Sequence, residues 1–327
     1  MIAINQDLVF FAYKNHKTEI DHFIHSTEKK IKSFRAKPTR TLKKKKVALL
    51  LTPLQEDYLD YLSANFKDII LGTPDDLLKF ATHFETIIKA VDLGKESKPY
   101  IHRVFRDRLL CIMGYNSQRN KFYSKYFQGL GIKACVYCNS QLTISVKRQG
   151  LKNKALYQVD HYYPKSYYPC FSVSFFNLYP TCANCNLSKS NKPLKFVLYS
   201  NNPLLFSKSV FQFSISQISI TNYRVNFEKE KLEIEFKGGN SKEMNKIFAV
   251  EQIYNTQKDV AEEILLKSII YNDTYKRSLE KSFSKLYNKK DLNVQRLILG
   301  NYTLDTEIHN RPMSKFMMDI AKQLKLI

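Results

Sequence analysis

Tryptophan is absent from this 327-residue sequence, and glycine and proline are scarce, at 9 and 10 residues. That scarcity excludes collagen-like repeats and the proline- and glycine-rich compositions of disordered chains. No apolar stretch approaches the roughly 18 to 20 residues that cross a bilayer as a helix, so no membrane-spanning segment is expected. The opening MIAINQDLVFFAYKNH lacks the basic start, apolar run and small-residue cleavage site of a secretory leader. A cytoplasmic location is therefore expected. Acidic residues are the other shortage: 30 Asp and Glu face 52 Lys and Arg, a formal charge of +22. Such an excess points to a polyanionic partner whose counterions are released on binding, nucleic acid first and an anionic membrane surface second.

What is present points to a folded chain. Hydrophobic residues make up 44%, with 21 Tyr and 22 Phe, and the length predicts two or three packed units. Residues 1–128 read as a helical N-terminal region. PLQEDYLDYLSANFKDII and PDDLLKFATHFETIIKAV repeat apolar residues at three and four. The second has a start signal in Thr73 as N-cap, Pro74 at the first helical position, and Asp75 and Asp76 in the first turn. Within this region KKIKSFRAKPTRTLKKKK (29–46) carries ten basic residues and no acidic one. Pro38 and the lack of apolar periodicity argue against a buried helix there, so the segment is expected to be a solvated basic arm or linker. It either has no specific role or contacts phosphates without sequence preference. In 201–327, FQFSISQISI and VNFEKEKLEIEFKGG alternate as short strands, followed by helices. His22 and His25 sit at helical spacing and read as packing residues; His16, His83, His102 and His309 receive no role.

Six cysteines in a reducing compartment are better read as ligands or thiols than as disulfides. Cys135-Val-Tyr-Cys138 and Cys182-Ala-Asn-Cys185 are two C-x-x-C knuckles, and together they offer the four thiolates of a tetrahedral structural zinc. The 43 residues between them exceed the usual ribbon spacing and must fold as an excursion. Within it LTISV and ALYQVDH read as strands around the polar KRQGLKNK turn, so that Asp160 and His161 close the second strand. Residues 162–180 read as a loop, and NCNLSKSNK begins a helix. Cys111 and Cys170 read as unpaired core or loop thiols.

Residues 129–200 resemble the HNH, or ββα-metal, endonuclease family. That family's pattern runs C-x-x-C, then D-H-x-x-P, then N-L-x-P-x-C-x-x-C-N-x-x-K. It appears as Cys135-x-x-Cys138, Asp160-His161-Tyr-Tyr-Pro164 and Asn177-Leu-Tyr-Pro-Thr-Cys182-Ala-Asn-Cys185-Asn186-Leu-Ser-Lys189. The resemblance implies an α+β chain in which a ββα-metal core with a four-cysteine zinc site is embedded between mostly helical flanks. It implies that His161 deprotonates the attacking water, that Asp160 and Asn186 hold one catalytic Mg²⁺ or Mn²⁺, and that Asn177 braces the His161 loop. Histidine suits the task because its unperturbed pKa lies near neutrality, and a hard cation with oxygen ligands suits a phosphodiester. Many family members have His where Asn186 stands, which bears on metal preference. Lys189 and Lys192, about one helical turn apart, are candidate phosphate contacts.

The C-terminal GNYTLDTEIHNRPMSKFMMDIAKQL and the helices before it resemble, loosely, extensions of bacterial HNH proteins of anti-phage defence, such as the nuclease subunit of Septu-type systems. That likeness implies an ATPase or other sensor subunit that restrains the nuclease. The expectation is a DNA endonuclease. The alternatives are a noncatalytic zinc module that binds nucleic acid as an adaptor, and an HNH nuclease directed at RNA.

Overall fold

The computed structural model describes residues 1–42, 45–94, 100–118, 122–147, 154–196, 198–284 and 293–327. After a short strand β1 (Ile4–Asn5), the Asn5 side chain caps α1 (Gln6–Asn15) by accepting from Asp7 N. Next comes α2 (Lys17–Ala36), which buries Ile20, Ile24, Thr27, Ile31 and Phe34, one residue every three or four. The expected basic arm is corrected here. Residues 29–36 complete α2, and the antiparallel pair β2 (Thr39–Leu42) and β3 (Lys45–Ala48) follows. Only Ile31 and Phe34 of the apolar stripe fall inside the basic window, so its period shows only when read from Ile20. Pro38 follows the helix end and breaks nothing. Lys43 and Lys44 lie outside the described residues.

The helices α3 (Pro53–Leu71) and α4 (Pro74–Ile87) each open with proline behind a reciprocal capping box, Thr52 with Gln55 and Thr73 with Asp76. Helix α3 packs on α2 and α4, and Arg35 of α2 reaches Asp60 of α3 through Nε at 3.0 Å. Then follow α5 (Ala90–Leu93), α6 (Tyr100–Met113), α7 (Tyr115–Gln118) and α8 (Phe122–Gly129).

In the cysteine region the expected strand ALYQVDH is divided at Tyr157. Strands β4 (Ile144–Val146) and β5 (Lys154–Leu156) pair antiparallel, and residues 148–153 of the expected turn lie outside the described residues. β6 (Gln158–His161) instead pairs with β7 (Leu178–Thr181), inside the segment expected to be a loop. Asp160 stands opposite Tyr179, and His161 opposite Leu178. Pro180 is tolerated in β7 because the sheet has two strands and its missing N–H faces away from the partner. Helix α9 (Ala183–Lys189) begins between the cysteines of the second knuckle, where Cys182 accepts from Cys185 N as its cap.

Beyond it, β8 (Tyr199–Ser200) pairs in parallel with β1, which carries the N-terminal segment back to the centre. After α10 (Pro203–Ser207), β9 (Gln212–Ile215) and β10 (Ile234–Lys237) form an antiparallel pair. Between them the second half of FQFSISQISI is not strand: α11 (Gln217–Asn226) is helical and buries Ser219, Ile220 and Tyr223 at helical spacing. The chain turns after β10 at Gly238, where φ is +84° and an added Cβ would meet Val210 O at 2.2 Å. Among the described residues the chain finishes with α12 (Ser241–Phe248), α13 (Val250–Asn255), α14 (Lys258–Ile270), α15 (Asp273–Ser284), α16 (Val294–Leu299) and α17 (Ser314–Gln323). The last satisfies the free edge of β9, since Asp319 accepts from Phe213 N at 2.9 Å and Gln323 from Ile215 N at 2.8 Å.

Most buried apolar residues, from Met1 to Leu326, belong to one cluster, and Ile2, Ile308 and Met318 form a small second one. Among the described residues helix, 3-10 turns included, accounts for 61% and strand for 11%, in small separate sheets, which makes the class α+β. Among the described residues no helix is long and apolar enough to cross a membrane.

Candidate functional site

Cys135, Cys138, Cys182 and Cys185 are all buried and form no disulfide, and their sulfurs lie within 4.8 Å of one another. A tetrahedral zinc with Zn–S near 2.3 Å needs sulfurs about 3.8 Å apart. The Cys138 and Cys182 sulfurs are 3.9 Å apart. Backbone N–H groups aim at the sulfurs, Cys182 N at Cys135 (3.3 Å), Cys185 N at Cys182 (3.5 Å) and Ser140 N at Cys138 (3.5 Å). Hydrogen bonds from the Cys135 thiol first, and from the other cysteines and Ser140, hold Cys138 well below the usual thiol range, while burial pushes Cys135 up and hydrogen bonds with Cys135 and Cys138 push Cys185 up, so without a metal the set shares its protons unevenly. Donors converging on sulfur favour thiolate, the form that binds a cation. The group fits a metal ion such as zinc.

The first knuckle is fixed from outside. Asn139 adopts a left-handed backbone (φ 56°) and is fully buried. Its Nδ2 donates to Ile308 O at 2.8 Å, and its Oδ1 accepts from Lys315 N at 3.1 Å. Tyr254 donates to Cys138 O at 2.9 Å, and Tyr137 stacks on Phe248 with ring centroids 4.5 Å apart. Helices far along the chain thus hold the clip.

Tyr137 also joins the clip to the second centre, because its hydroxyl donates to Asp160 at 2.5 Å. Asp160 ends up between that phenol and Lys189, whose Nζ is 3.1 Å from Oδ2 and donates to His161 O at 2.8 Å. Burial pushes Asp160 above the usual carboxylate range, opposed by the Lys189 ammonium and the Tyr137 hydroxyl. The expectation that Lys189 meets phosphate is overturned. Its side chain has 0% exposure and serves as the counter-ion of Asp160, because position 189 lies on the face of α9 that packs on β6. Lys192 is exposed and stands beyond the end of α9, with its Nζ bonded to Ser188 O.

His161 is 6% exposed, with its Nε2 3.0 Å from Ser172 O. A carbonyl only accepts, so Nε2 carries the proton and Nδ1 keeps the lone pair. The ring meets Tyr115 edge-on at 4.8 Å. Burial, and then Lys165, push its pKa down to about 3, against the pull of the Ser172 carbonyl. The imidazole is therefore neutral at physiological pH but more reluctant to take a proton than a free one. This differs from the near-neutral titration expected of it, and the cause is desolvation.

Asn177 is fully buried, and both ends of its amide are used. Oδ1 accepts from Tyr163 N at 2.7 Å, while Nδ2 donates to Phe171 O at 2.8 Å and Tyr163 O at 3.2 Å. The loop after His161 is braced by these bonds. Asn186 is half-buried on α9, three residues before Lys189 and so on the same side of the helix. Tyr137, Asn139 and Lys165 carry roles that sequence reasoning missed. An Asn directly after a knuckle is a signal for a left-handed turn; nothing in sequence marks the other two.

No family model, curated protein or solved structure matches this chain.

Proposed function

We propose that Asp160 and His161 form the hydrolytic centre of a metal-dependent HNH endonuclease acting on DNA, with zinc in the four-cysteine clip as a structural ion. The observation that carries this reading is the Nε2 bond of His161 to Ser172 O, which leaves Nδ1 as proton acceptor in a ring whose following loop Asn177 holds. The antiparallel β6–β7 pair followed by α9 supports reading this segment as a two-strand, one-helix core. Asp160 and Asn186 offer the oxygen donors suited to Mg²⁺ or Mn²⁺, and would hold such an ion between β6 and α9. When bound, the ion stabilises negative charge on the phosphate and the leaving oxygen.

The residues themselves divide the remaining work. His161 accepts the proton of the attacking water at Nδ1. A phosphodiester anion beside the ring favours its protonated form, which offsets the burial that weakens it as a base. Lys165, exposed and 4.8 Å from the Tyr115 ring that His161 also meets, takes the phosphate-contact role from which Lys189 is withdrawn. Asn177 positions the loop and touches no substrate.

One observation favours the noncatalytic adaptor: the Asp160 carboxylate is already engaged by Lys189 and Tyr137. The two readings separate at His161. Plasmid incubated with zinc-loaded protein and Mg²⁺ or Mn²⁺ is nicked or linearised, and His161→Ala abolishes cutting while retaining binding. An intact plasmid with wild type, folded and zinc-bound, favours the adaptor. Parallel digests of RNA test the remaining substrate class. The defence role, the ATPase or other sensor subunit and a cytoplasmic location rest on the C-terminal resemblance and on composition.

A further inference from the structure

We infer that the second half of α2, the neighbouring face of α6 and the hairpin β2–β3 form a docking face for the phosphate backbone of duplex DNA, distinct from the His161 centre. The inference is independent of cleavage, since a nuclease and an adaptor need such a face equally.

Its centre is an open depression of about 370 Å³ lined by Lys29, Lys30, Ser33, Arg108, Cys111 and Ile112. Two helices supply it. Ile31 and Phe34 are buried, which turns the lysines between and before them outward, and Arg108 of α6 crosses to lie 5.7 Å from the Phe34 ring. Three cations and a hydroxyl thus surround one hollow that no carboxylate lines. Arg35, on the same helix, shows the contrast. It turns to α3 and is matched by Asp60 and Glu56.

The hairpin continues the charge. Its base is closed by Leu49 N donating to Pro38 O at 3.0 Å, and Lys45 and Lys46 are exposed. Among the described residues no carboxylate lies within ion-pair distance of Lys29, Lys30, Lys37, Lys45, Lys46 or Arg108. Ordinary surface lysines gain little from pairing, but a cluster left unmatched repels itself, and counter-charge from a polyanion relieves that.

From Lys29 to Ala36 the helix advances about 10 Å, and each hairpin strand about 13 Å. These are lengths of several phosphates along one strand of a duplex. No aromatic ring lines the depression, so it offers no platform on which an unpaired base would stack, which favours a duplex over a single strand.

The test is fluorescence anisotropy with a short labelled duplex and zinc-loaded full chain, without Mg²⁺, between about 0.05 and 0.2 M salt. Lys29→Gln with Lys30→Gln should lower the salt slope of log K by about 1.8, and adding Arg108→Gln by about 2.7 in total, with roughly tenfold or greater loss of affinity. Thermal melting establishes that the variants are folded, and the lysine pair is exposed enough to leave the core untouched. Lys208→Gln with Lys242→Gln and Lys246→Gln, exposed elsewhere, should change the slope little. His161→Ala should bind as wild type does, so failure of the cleavage reading leaves this result standing. An unchanged slope in the lysine pair overturns the inference. So does an equal loss in the Lys208 set, or stronger wild-type binding to phosphatidylserine-rich vesicles or to single strands than to duplex.

Discussion

The four-cysteine clip and the Asp160–His161 centre share one small module and one bridging residue, Tyr137, yet they are prepared in opposite ways. In the clip, sulfurs face one another at ligand spacing and backbone donors converge on them, so charge is gathered for a cation that neutralises it. In the other centre the carboxylate already has its cation in Lys189, and the imidazole is neutral and desolvated. A structural metal is the strongest bond in its neighbourhood and can be left to organise the chain. A buried carboxylate with no bound ion needs a cation of its own, and Lys189 supplies it from within the fold.

Four tests by substitution bear on this contrast, in descending order of effect. Cys138→Ser or Cys182→Ser should remove one zinc per chain, as read by metal analysis. Because structural zinc contributes on the order of 10 kcal/mol, the cooperative melt should be lost. Retention of a sharp melt without zinc would show that the surrounding helices alone hold the clip. Lys189→Met strands a buried carboxylate, and a loss of about 3 to 5 kcal/mol in denaturant unfolding is expected, largely recovered when Asp160→Asn is added. No recovery in the double variant would separate Lys189 from Asp160.

Asn177→Ala leaves Tyr163 N and Phe171 O without partners and should cost about 3 kcal/mol while zinc content stays at wild-type level. Loss of zinc in that variant would mean that the two centres fold as one. Tyr137→Phe removes one hydrogen bond to a charged acceptor, for about 1.5 to 3 kcal/mol, with zinc retained. An unchanged stability would remove Tyr137 as the bridge.

Legibility in sequence followed the range of each interaction. Thr73, Pro74 and Asp76 announce a helix start because a capping box spans four residues. Cys135 to Cys138 and Cys182 to Cys185 announce a metal site because a knuckle also spans four. The strand holding Asp160 and His161 was legible, but its partner was not: pairing with Leu178–Thr181 across a loop leaves no local trace. The basic segment misled because charge outnumbers the two apolar residues that decide its burial. Lys189 misled for a related reason. A lysine reads as exposed until the carboxylate it neutralises, 29 residues earlier, is brought beside it.

By itself, the sequence determined the side-chain chemistry of this protein: the thiol set, the Asp160-His161 dyad, the helix starts and the excess of positive charge. These depend on side-chain identity and short spacing, which survive in any conformation. Only the tertiary structure decided which charges are spent inside and which remain outside. Lys189 and Arg35 are consumed by carboxylates, while Lys29, Lys30 and Arg108 meet around one hollow without any. Electrostatic energy depends on distance and burial, and both are set when distant segments close on a common core.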